Sequence, residues 1–370
     1  MIGITGTNGK TTCTYLIKHI LEAHGAKVGL IGTNQNMIGN KVLETGRTTP
    51  DSFELQKLFF QMAHEKMEYV VMEVSSHALA LNRVFGCGFA VGAFTNLTQD
   101  HLDFHGTMEN YAAAKAKLFE ISDAAVINID DEYGAEMARG CGAKYTYGID
   151  SDCALRAENV NLHESGVDFT VGGTEFSLGI PGRFSVYNAL CAIGVAEALG
   201  IDRELAAKAL ADASGVKGRA EVVKTGTDYT VMIDYAHTPD GIENILKTVR
   251  GFAKGRVVIL FGCGGDRDNT KRPIMGRMAG ELADYCIVTS DNPRTEEPGK
   301  IIDMIIPGVE ETGTPYTVIE NRRDAIEYAL KNAKKDDVIV LAGKGHETYQ
   351  ILHDGKIHFD EREIIHEILK

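Results

Sequence analysis

Excess basic charge is missing from this chain: 38 Lys and Arg face 52 Asp and Glu among 370 residues, a formal net charge of −14. Proteins that bind nucleic acid or membrane surfaces need a basic footprint, so neither partner is expected. A nucleotide substrate is not excluded, because local groups can bind one against a repulsive overall field. No apolar run approaches the roughly 20 residues needed to span a bilayer. No signal peptide precedes the first motif either, so a cytoplasmic location is expected. The cysteines (Cys13, Cys87, Cys141, Cys153, Cys191, Cys263 and Cys286) include no C-x-x-C pair and read as reduced thiols. Repeats and low-complexity tracts are absent as well. The length exceeds one ordinary core, so two or three domains are expected.

What the chain does have starts at its first strand. Ile4-Thr5 runs into Gly6-Thr7-Asn8-Gly9-Lys10-Thr11-Thr12, and a helix follows with Leu16, Ile17, Ile20 and Leu21 on one face. Backbone N–H groups of such a turn, together with the helix N-terminus, make a concave anion site. Lys10 adds a charge for terminal phosphates, and the Thr11 hydroxyl can ligate Mg²⁺. The strict phosphate-loop pattern wants glycine where Ile4 stands, so this is a variant loop.

Buried strands are expected at 27–32, 69–74, 90–95 and 124–128, with helices near 11–24, 51–66, 107–120 and 131–139. From Cys153 to Leu178 short strands broken by Glu164-Ser165-Gly166 and Gly172-Gly173 suggest an antiparallel hairpin, and helices follow near 185–199 and 202–213. After a Gly-rich stretch at Gly215–Arg219 the alternation restarts. Strands are expected at 221–225, 229–235, 256–261, 285–289, 315–319 and 337–342, and helices near 240–250, 273–283, 299–312 and 323–333. The fold class is therefore α/β: a central P-loop, doubly wound sheet domain over 1–218 with a small antiparallel appendage, then a Rossmann-like α/β domain over 219–370.

Open α/β sheets bind ligands past the carboxyl ends of their strands, and five charged segments lie there. Met72-Glu73-Val74-Ser75-Ser76-His77 offers Glu73 to a phosphate-bound Mg²⁺, or as a helix cap. The segment Thr95–His105 carries His101, and the helix after it carries Lys115; a capping histidine and a solvated lysine are the plain alternatives. Gly262–Asp268, Ser290–Thr295 and Ala342–Glu347 end three strands of the second domain, where Arg267 and Arg294 suit a carboxylate clamp.

On its ordered motifs TGTNGKTT, RTTPD, MEVSSHAL, TNLTQDHLDFHGTMENYAAAKAKLF, DYAHTPDG, GCGGDRDNTKRP, DNPRTEEP and AGKGHE, the chain resembles the Mur ligases over nearly its whole length. These are ATP-dependent amide-forming enzymes of peptidoglycan precursor synthesis. The resemblance implies that Gly6, Thr7, Asn8, Gly9, Lys10, Thr11 and Thr12 bind ATP phosphates, with Thr11 and Glu73 on a first Mg²⁺. It puts His101 and Lys115 on a second Mg²⁺, the lysine carbamylated by CO₂. Asn188 matches an adenine contact, Arg219 a γ-phosphate contact and Asp234 a ribose contact. Thr48, Thr49, Ser75 and Arg83 match positions that grip the UDP-muramoyl dipeptide, while Leu81 stands where relatives have Gln. Asp291-Asn292-Pro293-Arg294, with Arg267, Gly343 and Glu347, marks members that add meso-2,6-diaminopimelate. Lysine, which lacks the distal carboxylate, would leave Arg294 unpaired, and such a mismatch can discriminate by roughly 10⁴. A monomer is expected, and the resemblance implies a sequence without the domain that holds the uridine diphosphate in longer members. Folylpolyglutamate-type ligases, the nearest alternative, lack the Ser-Ser-His-Ala-Leu and Asp-Asn-Pro-Arg segments.

Overall fold

A computed structural model describes residues 1–370 apart from 138, 140, 164 and 214. It divides into two compact units, Met1–Thr98 with His105–Ser214, and Gln99–Phe104 with Gly215–Lys370.

The first unit holds a sheet of nine strands: β1 (Ile2–Thr5), β2 (Val28–Ile31), β3 (Asn36–Ile38), β4 (Lys41–Leu43), β5 (Tyr69–Glu73), β6 (Phe89–Phe94), β7 (Ser122–Asn128), β8 (Ala143–Gly148) and β9 (Leu155–Arg156). Their order is β4-β3-β2-β5-β1-β6-β7-β8-β9. All pairs are parallel except β2 with β3 and β3 with β4. The chain leaves β1 toward β2 on one side and later fills β6 to β8 on the other. The loop after β1 therefore lies at the point where strand order reverses, the usual ligand crevice of an open sheet. Register puts Ile4 opposite both Glu73 and Ala93, so the ends of β1, β5 and β6 emerge together.

Alternation along the strands builds two cores. Ile2, Ile4, Val71, Val91, Ala93 and Val126 pack with the helices Lys10–Ala23 and Arg183–Ala198. Ile31, Met72, Phe94, Ala125 and Ile127 pack on the other face with Ser52–His64 and Met108–Glu120. Burying each such aliphatic side chain is worth about 1.5–3 kcal/mol, so these apolar strands hold the sheet between its helices. The expected strands and helices of this half are present with ends shifted by a few residues. The expected helix 131–139 contracts to Gly134–Met137, and its residue 138 lies outside the described residues. The expected hairpin is a three-stranded antiparallel sheet of β10 (Glu158–His163), β11 (Gly166–Val171) and β12 (Thr174–Leu178), with Phe169 stacked on Phe176 at 5.3 Å. Residue 164 of its first turn lies outside the described residues.

The second unit has a six-stranded sheet of β13 (Glu221–Val223), β14 (Thr230–Asp234), β15 (Val257–Phe261), β16 (Tyr285–Val288), β17 (Tyr316–Val318) and β18 (Val338–Ala342), ordered β13-β14-β18-β15-β16-β17. Only β13 runs antiparallel to its neighbour. Ile233, Leu260, Ile287, Ile339 and Leu341 pack with Ile326, Leu330 and Ile365. Local signals set the helix starts: Thr238 Oγ1 accepts from Gly241 N at 3.1 Å ahead of Pro239, as a hydroxyl N-cap should. A further hairpin pairs β19 (Tyr349–Leu352) with β20 (Gly355–His358). Arg322 and Glu361, both fully buried, form an ion pair at 2.8 Å, and Arg322 Nη2 also donates to Ala342 O at 2.8 Å.

Candidate active site

In the first unit the crevice is built on two glycines that admit no side chain. A Cβ on Gly6 (φ +146°) would lie 1.8 Å from Thr95 Oγ1, and one on Gly9 (φ +85°) would lie 2.5 Å from Asn188 Oδ1. Thr95 Oγ1 itself donates to Asn8 O at 2.6 Å, and Asn8 N donates to Asn96 Oδ1 at 2.8 Å. The loop is thus pinned to the end of β6, with Thr7 Oγ1 3.2 Å from the Tyr111 hydroxyl. Asn188 sits behind the loop and accepts from Cys13 Sγ at 3.5 Å. Lys10 Nζ donates to Gly6 O and Thr7 O, each at 2.8 Å, curling over the loop's own carbonyls. Thr12 is buried in the first turn of the helix.

Glu73 is 1% exposed at the end of β5. Its Oε1 accepts from Thr11 Oγ1 at 2.9 Å and Thr33 N at 2.8 Å, and its Oε2 from Thr33 Oγ1 at 2.9 Å. It is not a helix cap; Ser75 takes that part, its Oγ accepting from Ala78 N at 3.2 Å. A carboxylate and a hydroxyl meeting beside this glycine loop are the hard oxygen donors that Mg²⁺ prefers, so their chemistry fits such an ion. Thr33 was not foreseen; its position just past the end of β2 was the available signal. Around Glu73 gather Thr49, whose Oγ1 donates to Glu73 O at 2.9 Å, Ser75, whose N donates to Thr49 Oγ1 at 3.0 Å, and Arg83, whose Nη1 donates to Thr49 O at 3.1 Å. Thr48 Oγ1 lies 3.0 Å from Thr33 Oγ1, whose one proton already goes to Glu73. Leu81 is exposed.

Lys115 is no solvated surface lysine. It is 1% exposed, its Nζ donates to Gly6 O at 2.9 Å, and the ammonium lies 4.5 Å from the centre of the Tyr111 ring. A carbamate nitrogen keeps one N–H, so the bond to Gly6 would survive modification.

In the second unit His101 (φ +55°) places Nε2 3.5 Å from Asp100 Oδ2. The buried Asp100 also meets Lys271 Nζ at 3.2 Å and His237 Nε2 at 3.7 Å. Burial alone would raise the Asp100 carboxyl; the His237 hydrogen bond and the charges of Lys271 and His101 hold it well below the usual carboxylate range. Arg219 stacks on Tyr235 with 4.5 Å from guanidinium to ring centre. Asp234 accepts from Ala220 N and Ala236 N, each at 2.7 Å, and burial raises it even against the Arg219 charge.

The three charged loops of this unit end β15, β16 and β18, which are neighbours in the order β18-β15-β16. Arg294 (φ +55°) donates from Nη1 to Gly265 O at 2.8 Å. Burial and then the charge of Arg267 lower its guanidinium from the ordinary value, so two cations lie close together where a carboxylate would relieve both. Arg267 itself is exposed and donates to Asp266 O at 2.8 Å. Asp291, Asn292 and Pro293 are buried, and Asn292 Nδ2 donates to Glu347 Oε2 at 2.9 Å. A Cβ on Gly343 (φ +112°) would lie 2.5 Å from Asp291 Oδ2. The fully buried Lys344, among these residues, was not foreseen because its charge partners are up to 53 residues away in sequence. Among the described residues no group of three or more His, Cys, Asp or Glu is arranged to hold a metal, and no helix is long and apolar enough to cross a membrane.

Comparison with known proteins agrees with this architecture. Residues 4–196 match the Mur ligase middle domain, and residues 218–345 match the Mur ligase, glutamate ligase domain. The UDP-N-acetylmuramoyl-L-alanyl-D-glutamate--2,6-diaminopimelate ligase of Caldanaerobacter subterraneus subsp. tengcongensis is 56% identical over 375 residues, covering 100% of this chain and 78% of the relative. A solved structure of a ligase of that name superposes with a TM-score of 0.67 at 33% identity, over 100% of this chain and 77% of the other. A bifunctional folylpolyglutamate synthase/dihydrofolate synthase, solved with Mn, AMPPNP and L-glutamate bound, shares the fold alone, at 21% identity and a TM-score of 0.70 over 92% of this chain and 86% of the other. The chain belongs to the Mur ligase family, and the sequence reading of an α/β ligase fold holds.

Proposed function

We propose that this chain catalyses ATP-dependent addition of meso-2,6-diaminopimelate to UDP-N-acetylmuramoyl-L-alanyl-D-glutamate, a step of peptidoglycan precursor synthesis. The observation that carries the reading is Arg294 beside Arg267: two guanidiniums on adjoining loops, one half-buried and held by Gly265 O and one exposed, which a distal carboxylate would neutralise and lysine would not. The name and identity of the Caldanaerobacter relative support the same substrates.

In this reading residues 1–218 bind ATP and residues 219–370 bind the incoming amino acid. A glutamate carboxylate oxygen attacks the γ-phosphorus of ATP, ADP leaves, and an acyl phosphate remains. The amine of diaminopimelate attacks the acyl carbon and loses a proton, the C–O bond to phosphate breaks, and the amide is left. Positioning and charge neutralisation are what the protein supplies. Gly6 to Thr12 cradle the phosphates. Lys10 turns from the loop carbonyls to the terminal phosphate, and Arg219 meets the γ-phosphate. Asp234 holds the ribose and Asn188 the adenine side of the nucleotide. Thr48, Thr49, Ser75 and Arg83 hold the muramoyl dipeptide. Asp291 to Arg294, Arg267, Gly343 and Glu347 hold the amino acid.

Thr11 and Glu73 would hold one Mg²⁺, and His101 with a carbamylated Lys115 a second; when bound, such ions offset phosphate charge. A carbamate forms only on a neutral amine, which costs an ordinary lysine about 4 kcal/mol near neutral pH. Lys115 is buried beside the glycine loop, and its Nζ donates to Gly6 O at 2.9 Å, so the group to be modified lies within the crevice. The reading includes a cytoplasmic monomer.

The test is phosphate release with ATP, UDP-muramoyl dipeptide and either meso-diaminopimelate or lysine. Release that needs both the dipeptide and diaminopimelate supports the reading, and Arg294→Ala should abolish the preference over lysine. ADP formed equally well without either acceptor would overturn it.

A further inference from the structure

A lysine that is 0% exposed must be repaid by hydrogen bonds and counter-charge, or the fold loses several kcal/mol. Lys344 is such a residue, and its surroundings are specific. The strand β18 ends at Ala342, and the next three residues read Gly-Lys-Gly. Gly343 has φ +112°, and Gly345 has φ +54° with a virtual Cβ only 2.7 Å from Tyr235 Cβ and 2.8 Å from Gly218 O. Neither place accepts a side chain, and the turn they permit aims the lysine between them into the protein.

Inside, Lys344 Nζ donates to Glu347 Oε2 at 2.9 Å and Asn292 Oδ1 at 3.0 Å, and lies 3.5 Å from Asp291 Oδ1. An ammonium only donates, so the Asn292 amide must present its oxygen to it, as it does to Ile351 N at 2.9 Å. The amide NH₂ is thereby turned to Glu347, where Nδ2 donates to Oε2 at 2.9 Å. Both donors converge on one Glu347 oxygen. The three side chains close a ring of hydrogen bonds in which Lys344 supplies the only positive charge.

We propose that Lys344 is a positioning residue of the amino-acid site, its buried ammonium setting the directions in which Asn292 and Glu347 meet the incoming amino acid. The proposal rests on the reading that Asn292 and Glu347 bind that substrate. Lys344 itself touches neither nucleotide nor reacting atoms in this scheme, so its influence falls on one substrate. A residue needed only for folding would spread its effect over all of them.

The experiment compares the whole chain with Lys344→Met, which keeps the length and apolar stem but removes charge and donors. KM values for meso-diaminopimelate, ATP and the UDP-muramoyl dipeptide are measured by phosphate release, beside a thermal melt. Loss of charge-assisted bonds to two recognition groups should raise the diaminopimelate KM roughly 10- to 100-fold while the other two stay within about 2-fold. Lys344→Gln, which restores a neutral donor, should recover part of the loss, and it replaces the Met variant if the latter does not melt cooperatively. An unchanged diaminopimelate KM, an equal rise in all three KM values, or failure of both variants to fold would each overturn the proposal. If the unaltered chain shows no diaminopimelate-dependent release, the functional reading falls first and takes this one with it.

Discussion

Replacing Gly6 by alanine is the sharpest mechanical probe of the glycine loop after β1. The added methyl would start 1.8 Å from Thr95 Oγ1 and 3.1 Å from the Asn96 backbone, so Thr95 must turn away. Turning it breaks its bonds to Asn8 O (2.6 Å) and Thr5 O (3.3 Å), a loss of about 1–2 kcal/mol. Holding a non-glycine residue at φ +146° adds strain of about 1–3 kcal/mol. The sum, about 2–5 kcal/mol, corresponds to roughly 5–15 °C in melting temperature for a unit of this size. Gly39 is the control, because it has φ +58° but nothing within 4 Å of a virtual Cβ. Gly39→Ala should cost only about 1 kcal/mol of strain. Calorimetry on both variants, following the transition that added ATP raises, makes the comparison. Equal shifts for the two alanines would refute the steric account of the loop.

Three other outcomes are expected. Glu361→Ala strands the fully buried Arg322 and should cost about 3–5 kcal/mol in urea unfolding, whereas a loss below about 1 kcal/mol would mean the pair is not desolvated as described. Burial alone would raise Asp130, but N–H donors of Ile149, Asp150 and Ser151 and the Tyr187 hydroxyl hold its carboxyl well below the usual range. The stability it adds is therefore full above about pH 4 and lost as pH falls further, so the gap between wild type and Asp130→Asn should be wide at pH 7 and narrow by about pH 2. Lys115→Ala should lower kcat about 10³-fold or more if a carbamate there neutralises a cation, with partial rescue by formate or acetate; near-normal turnover counts against the modification.

Long apolar strands such as Tyr69–Glu73 and Val338–Ala342 were legible because both faces are buried, leaving an unbroken hydrophobic run bounded by polar loops. The short pairs were not. Asn36–Ile38 with Lys41–Leu43 has three residues a side, and Ala143–Gly148 mixes lysine, threonine and tyrosine. The hairpin of β19 and β20 was not read from the sequence, although Asp354-Gly355 is a turn signal between them. In the crevice, residue types near strand ends pointed to Thr11 and Glu73, and distance now joins them. What sequence could not convey was pairing across long separations: Thr33 with Glu73, Asp100 with Lys271, and Lys344 with Asp291. Such partners follow from strand order, which no local pattern encodes.

Six residues, Gln99–Phe104, belong to the second unit although the chain on either side belongs to the first. That interleaving limits how the protein can be cut or recombined. A fragment begun at Gly215 would retain Lys271, whose ammonium is nearly inaccessible to water, yet forfeit the Asp100 carboxylate that faces it. Exchange of the carboxyl-terminal lobe between relatives by one crossover would set Lys271 against the recipient's own version of that hexapeptide. A transplant that also carries the hexapeptide keeps the original Asp100 opposite Lys271.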